Sequence, residues 1–403
     1  MILTPCRFDL MIKYLYVFSI EHQLKTNFFK NMYKNHIITF NGCKEDNKVC
    51  MNDFIISFNQ LITHIKNNGF DEKYQIPVGN NNVIINGAHR TAICHFYDIQ
   101  PKILHVNEEG YEGYNYNFFL NRRSNPSLKQ IYADSAALEY IKHNDNIRAM
   151  IVYPTAMSLN KLNELFQLIE LENYIYYSKC VKLTSYGVNN LIKEMYRSED
   201  WIGGLFPPGY SPGGKARLCV KEGFETMIIL IEIKDRDLKE KCRNLFGLGK
   251  HSLHISDYPI DTFRIASSLL NENSIHFLNN GTNDITSNTK QLLKKYFENI
   301  YKSEDYCLTS SLIMEMYALR SAKDIDYLHK NDSKISINNI GIHDGEWLSY
   351  YNIHKDDIIY NPNNHFYFNG FKFTTLNIVK KMKENRKEIK DIDDIKLICN
   401  TFK

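Results

Sequence analysis

The chain has 403 residues, 43% hydrophobic and 24% charged, which excludes a disordered chain and supplies apolar side chains for two or three packed domains. Its 49 basic and 46 acidic residues leave a net charge of +3, too balanced for a dedicated polyanion binder, so nucleic acid is not expected as a partner. Nine cysteines lie scattered with no C-x-x-C pair, which argues against structural zinc or a disulfide framework and for a reducing, cytoplasmic setting.

In chain order, "DLMIKYLYVFSI" (9–20) is the only candidate targeting segment; it is short, carries Lys13 and lacks a small-residue cleavage site. No stretch approaches the roughly 20 apolar residues that span a bilayer, so no membrane span is expected. Residues 1–31 read as a poorly packed extension, and "MYKNHIITFNG" from Met32 as a first strand. A first domain is expected over 32–150, ending in the amphipathic helix pattern "LKQIYADSAALEYIKHN".

A middle α/β region follows over 151–295. "ETMIILIEI" (225–233) reads as a buried strand, and "DRDLKEKCRNLFG" (235–247) as a helix with a glycine stop. "HSLHIS" (251–256) reads as a strand, "PIDTFRIASSLLN" (259–271) as a helix opened by proline, and "SIHFLNN" (274–280) as a strand. Strand alternation separates His251 from His254, so joint metal ligation by them is not expected. Asp257 or Ser256 is expected to cap the helix near Pro259, with Lys250 and His254 as possible substrate contacts. The breaker-rich loop "GGLFPPGYSPGGKA" (203–216) follows Trp201, and its "SPGGK" lacks Walker spacing.

The last region, 296–403, opens on the helix "TKQLLKKYFENIYKS" and closes on "TLNIVKKMKENRKEIKDIDDIKLICNTF", read as one helix. There Leu376, Val379 and Met382 form an apolar stripe, and Lys380, Lys383, Lys387 and Lys390 line another face. Between the two lies "SSLIMEMYALRSAKDIDYLH" (310–329), a helix and then a strand in which Asp324 and Asp326 alternate with Ile325 and Tyr327. Side chains two apart on a strand share a face, about 7 Å apart at the backbone. Two carboxylates held so close need a cation, a basic partner or solvation.

Two stretches resemble known families. "IPVGNNNVIINGAHRTAICHFYDIQPKILHV" (76–106) gives strand, "NGAHR" turn, helix and second strand, and resembles the ParB/sulfiredoxin-like superfamily over roughly 52–120. Gly87 permits the tight turn, the helix start favours an anion, and Arg90 can fork onto phosphate oxygens. The resemblance implies that Gly87, His89 and Arg90 contact phosphate or a substrate acid. Ala88 stands where a sulfiredoxin has its cysteine, so peroxiredoxin repair is not expected, and no helix-turn-helix follows for chromosome partition.

The stretch 310–329 resembles the nucleotidyltransferase superfamily, the polymerase-β-like fold, in which a serine at a helix start precedes a strand bearing D-x-D. The resemblance implies Asp324 and Asp326 as magnesium ligands and catalytic residues, with Ser310 and Ser311 near the phosphates of a nucleoside triphosphate, ATP or CTP. The pattern usually carries Gly-Ser where this chain has "TSS". A third carboxylate is expected further on, with Asp344 in "GIHDGEW" and Asp357 in "HKDDIIY" as candidates. The closing segment 365–395 resembles sugar-modifying members, choline-phosphate transferases of surface polysaccharides among them, and Lys383 or Arg386 would then reach phosphate. The expected architecture is α/β (α+β), a ParB/sulfiredoxin-like domain joined to a mixed-sheet nucleotidyltransferase-like domain. The expected activity is magnesium-dependent transfer of a nucleotidyl or phospho group to a small or sugar acceptor in surface-glycan metabolism. The alternatives are a ParB-like small-molecule kinase with a degenerate C-terminal module, and a CTP-gated binding protein without turnover.

Overall fold

The computed structural model describes residues 6–45, 47–197, 199, 201–202, 213–235, 237–282, 284–300, 303–331 and 337–401; most of the breaker-rich loop, 203–212, lies outside them. The chain is mixed α/β. It divides into two units, the first formed by residues 1–147 with 173–177 and 230–234, the second by 148–172, 178–229 and 235–403. The regions 151–295 and 296–403, read as separate from the sequence, thus largely share one unit.

In the first unit the elements are α1 (Asp9–Glu21), α2 (Phe28–Asn41), α3 (Met51–Asn68), β1 (Ile76–Val78), α4 (Ala88–Phe96), β2 (Ile103–His105), α5 (Tyr116–Leu120) and α6 (Gln130–His143). β1 and β2 pair in parallel, Ile76 opposite Ile103. The core gathers Tyr16, Tyr33, Ile37, Phe58, Ile62 and Ile93, with the ring of Tyr16 4.7 Å from Tyr33 and 5.2 Å from Phe58.

Two expectations are corrected here. Residues 6–31, within the stretch read as a poorly packed extension, are packed: Phe8, Met11, Ile12, Leu15 and Tyr16 are buried, and their i, i+3, i+4, i+7, i+8 spacing is that of a helix face turned to a core. The segment from Met32 is helix, not strand, because Met32, Tyr33, His36 and Ile37 are buried at helical spacing in α2.

The remaining elements are β3 (Ile147–Val152), α7 (Pro154–Met157), α8 (Leu162–Glu170), β4 (Tyr174–Val181), α9 (Ser185–Met195), α10 (Gly213–Cys219), β5 (Thr226–Glu232), α11 (Leu238–Phe246), β6 (Leu253–Ile255), α12 (Pro259–Leu269), α13 (Glu272–Asn280), α14 (Ser287–Asn299), β7 (Tyr306–Thr309), α15 (Ser311–Met316), β8 (Ile325–His329), β9 (Ile340–Ile342), α16 (Glu346–Ser349), α17 (Lys355–Tyr360), β10 (His365–Phe368), β11 (Phe371–Thr374), α18 (Leu376–Arg386) and α19 (Ile389–Thr401). One sheet has the order β4-β5-β3-β6, and another the order β10-β11-β7-β8-β9. β5 is buried along all but its last residue, and Gly247, at φ +68°, ends α11.

Residues 274–280 are helix rather than strand. Asn271 caps α13 by accepting from the Ser274 amide at 2.9 Å, and Ser274, Ile275, Phe277 and Leu278 form its buried face. Neither Ser256 nor Asp257 caps α12. The Ser256 hydroxyl bonds Thr262 at 2.7 Å, and Asp257 pairs with Lys239 at 3.0 Å. The closing helix is two, because Lys387 takes a left-handed conformation, φ +60°, that folds α19 back along α18. Among the described residues no helix is long and apolar enough to cross a membrane.

Candidate active site

The five-stranded sheet positions both aspartates. β7 is buried throughout, and the chain leaves it through Ser310, whose φ of +64° and ψ of −137° suit glycine better than serine. Such backbone stores about 1–3 kcal/mol. Ser310 thus stands where the transferase pattern puts glycine, in the conformation glycine would adopt. Its hydroxyl lies near Asp326 and favours the ionised carboxylate, while the Ser311 hydroxyl donates to Oδ1 of Asp324 at 3.2 Å.

β8 runs antiparallel to β7 with Asp326 opposite Thr309, and parallel to β9 with Asp326 opposite Gly341. Ile325 is buried between the two acids, as alternation requires. Gly341 makes room for the carboxylate: a Cβ there would lie 3.2 Å from Asp326 Oδ1. Asp326 keeps 17% of its side chain exposed, and Asp324 is solvent-exposed.

His343 is the residue that sequence reasoning missed. Its Nε2 lies 3.5 Å from Asp326 Oδ2, and its Nδ1 is 2.6 Å from the Tyr351 hydroxyl. Tyr351 is 3.1 Å from the Thr309 hydroxyl, which accepts in turn from Thr374 at 3.0 Å. Burial pushes the Tyr351 phenol far up, so it keeps its proton. The Tyr351 hydroxyl thus engages one ring nitrogen of His343 while the other, Nε2, faces Asp326. The ring also stacks on Trp347, 4.8 Å apart and 7° from parallel. Burial disfavours ionised Asp326, but contacts with His343 and Ser310 and the charge of Arg386 outweigh it and hold the carboxyl below its ordinary value.

The other expected residues fall elsewhere. His343 lies two residues past Gly341, which pairs with Asp326, and reaches that carboxylate; Asp344, expected as a catalytic acid, accepts from the Trp347 amide through its carbonyl at 3.0 Å. Asp357 accepts from Asn361 at 3.2 Å and from Asn364 at 3.1 Å on α17.

Lys383 is not available to phosphate. It is 1% exposed and pairs with Asp394 at 2.7 Å and Asp391 at 3.2 Å. Asp391 also takes a two-pronged contact from Arg386, at 2.6 and 2.9 Å, and Asp394 takes one from Arg320, at 2.6 and 2.8 Å. The chain Arg320–Asp394–Lys383–Asp391–Arg386 ties α18 to α19 and sets the Arg386 guanidinium 5.6 Å over Trp347. The lysine stripe is therefore not one face, since Lys383 is core while Lys387 forms the turn.

In the first unit, Gly87 adopts φ +88° at the start of α4, as the turn requires. His89 points inward, its Nε2 2.9 Å from the Tyr33 hydroxyl and its ring edge-on to Phe58 at 4.5 Å. Burial and the nearby Lys13 hold that imidazole well below its usual range, so it is neutral. The Arg90 guanidinium donates to the Tyr74 carbonyl.

Among the described residues, no three or more His, Cys, Asp or Glu converge as a metal-binding group. A cation on Asp324 and Asp326 would thus take its other ligands from phosphate and water. No family model, curated protein or solved structure matches the chain.

Proposed function

We propose that the second unit is a magnesium-dependent nucleotidyl- or phospho-group transferase. It takes a nucleoside triphosphate, ATP or CTP, as donor and a small molecule or sugar as acceptor, in cytoplasmic surface-glycan metabolism. One observation supports this: a buried strand leads into the strained Ser310, which lies near Asp326, and the next residue, Ser311, donates to Asp324 on the adjoining strand. Backbone strain of this kind persists where a site demands it.

The donor set fits the ion. Asp324 and Asp326 offer hard carboxylate oxygens, and magnesium takes one or two of these with phosphate and water. Bound there, it would offset the negative charge of the reacting phosphates. The chain's own residues do the rest. Ser310 and His343 lie beside Asp326 and hold its orientation, Tyr351 holds the His343 ring, and exposed Asp324 stays open to solvent and ligand. A kinase centred on His89 and Arg90 is less well supported, because Tyr33 and the Tyr74 carbonyl already occupy them.

The test is thermal stabilisation of the whole chain by each of the four nucleoside triphosphates, with and without magnesium. A nucleotide at one hundred times its dissociation constant adds about 2.7 kcal/mol. At least one is expected to raise Tm only when magnesium is present. Four flat curves, or a response indifferent to magnesium, sink the proposal.

A further inference from the structure

A second cationic cluster lies in the same unit, away from the aspartates in sequence, where α7, α10, α11 and the turn at 249–251 pack together. Lys215, on α10, sets its ammonium 4.9 Å over the ring of Tyr196 and 5.7 Å from that of Tyr153. Among the described residues it donates to the Lys250 carbonyl, at 2.9 Å, and meets no carboxylate. Burial, and the charges of Arg243 and Lys250, push its pKa down. A half-buried ammonium held by ring faces and one carbonyl is short of an anionic partner.

The surrounding groups are short of one too. Arg243 gives Nη1 to exposed Glu240 at 2.6 Å, but its Nε is buried without a hydrogen-bond partner. His251 Nδ1 is likewise buried and unpartnered. The fully buried Tyr153 places its hydroxyl beside that of Tyr196 without a hydrogen bond of ordinary geometry. The Tyr196 hydroxyl lies 3.0 Å from His254 Nδ1 and keeps acceptor capacity toward Tyr153. Asp257 is taken by Lys239. Above Tyr196, at 5.4 Å between ring centres, stands Trp201, 45% exposed.

The Lys215 ammonium, with Arg243 Nε and His251 Nδ1 left without hydrogen bonds among the described residues, suits a tetrahedral oxyanion, and the half-exposed indole of Trp201 suits a planar ring. We propose that Lys215, Arg243 and His251 bind the phosphate of a phosphomonoester whose ring packs against Trp201, a nucleoside monophosphate being the class that offers both. The assignment stands independently of the site at Asp326.

The chain has two tryptophans, so Trp347→Phe leaves Trp201 as the sole indole reporter. Inorganic phosphate, titrated into that protein at constant ionic strength, is expected to change Trp201 fluorescence saturably, while chloride does not. Adenosine or cytidine monophosphate should bind at least tenfold tighter than phosphate, and glucose phosphate should not. Lys215→Met should weaken phosphate tenfold or more, and Arg243→Gln, which spares the Tyr153–Lys215–Tyr196 packing, should do the same. Adding Asp326→Asn should leave the titration unchanged. A response that survives both cation substitutions, or no saturable response at all, overturns the proposal. Equal affinity for phosphate and monophosphates overturns the ring contact.

Discussion

Replacing Asp326 by Asn is the sharpest perturbation of the proposed site, because it changes charge and almost no volume. In the folded protein the substitution turns charge-assisted contacts with Ser310 and His343 into neutral ones. A hydrogen bond to a charged group is worth about 1.5–3 kcal/mol and a neutral one about 0.5–1.5 kcal/mol. Relief of the burial cost and of repulsion from Asp324 offsets part of that loss. The unliganded variant should therefore be less stable by about 1–2 kcal/mol, and it should fold. Its response to ligand should change far more. The roughly 2.7 kcal/mol of stabilisation expected from saturating nucleotide with magnesium should vanish. Transfer activity should fall on the order of a thousandfold, since a metal's charge stabilisation is worth several kcal/mol. The assay is paired melting curves, with and without magnesium nucleotide, beside turnover measured on the same preparation. A variant that keeps the magnesium-dependent shift, or turns over at the parental rate, refutes the assignment of Asp326.

Further outcomes follow from the same geometry. Lys383→Met strands two buried carboxylates that each keep one guanidinium, so a loss of about 3 kcal/mol is expected in urea unfolding; nucleotide affinity should hold, and a selective loss of affinity at intact stability would restore Lys383 as a ligand. Gly341→Ala puts a methyl 3.2 Å from Asp326 Oδ1 and should shift that carboxylate by a few tenths of an ångström, weakening magnesium-dependent nucleotide binding severalfold with little change in unliganded Tm. Tyr351→Phe removes the hydroxyl 2.6 Å from His343 Nδ1 without opening a cavity; about 1–3 kcal/mol of stability should go in urea unfolding, as for an unsatisfied buried polar group.

Stability should also drop on mild acidification. Burial holds His254 and His365 neutral, with pKa values pushed down to about 3, whereas in the unfolded chain they take up protons near pH 6.5. The unfolded state thus binds more protons below that pH, and stability falls as pH drops from about 6.5 toward 3. At pH 5 each histidine should cost about 2 kcal/mol relative to pH 7.5. Chemical denaturation at the two pH values tests this, and an acid slope left unaltered by His365→Gln would count against it.

The nearness of residues along the chain settled a good deal. The run at 225–233 holds too many branched apolar residues to be anything but a buried strand. Gly247 and Pro259 mark a helix end and a helix start by backbone chemistry alone. The order serine, helix, D-x-D strand was likewise legible, because the period of two at 324–327 fixes which side chains share a face. Short segments misled where only a longer window carries the period. The stretches at 32–41 and 274–280 were read as strands, and the helical face of 8–16 was read as an extension.

What the tertiary structure decided was partnership between segments distant in the chain. That His343 reaches Asp326 depends on the register of β9 against β8, and no local pattern sets that register. That Lys383 is core depends on α19 folding back at Lys387 to bring Asp391 and Asp394 against it. Helical period and turn chemistry act over a few residues and can be read from them; pairing register and charge burial are set by the whole packed unit.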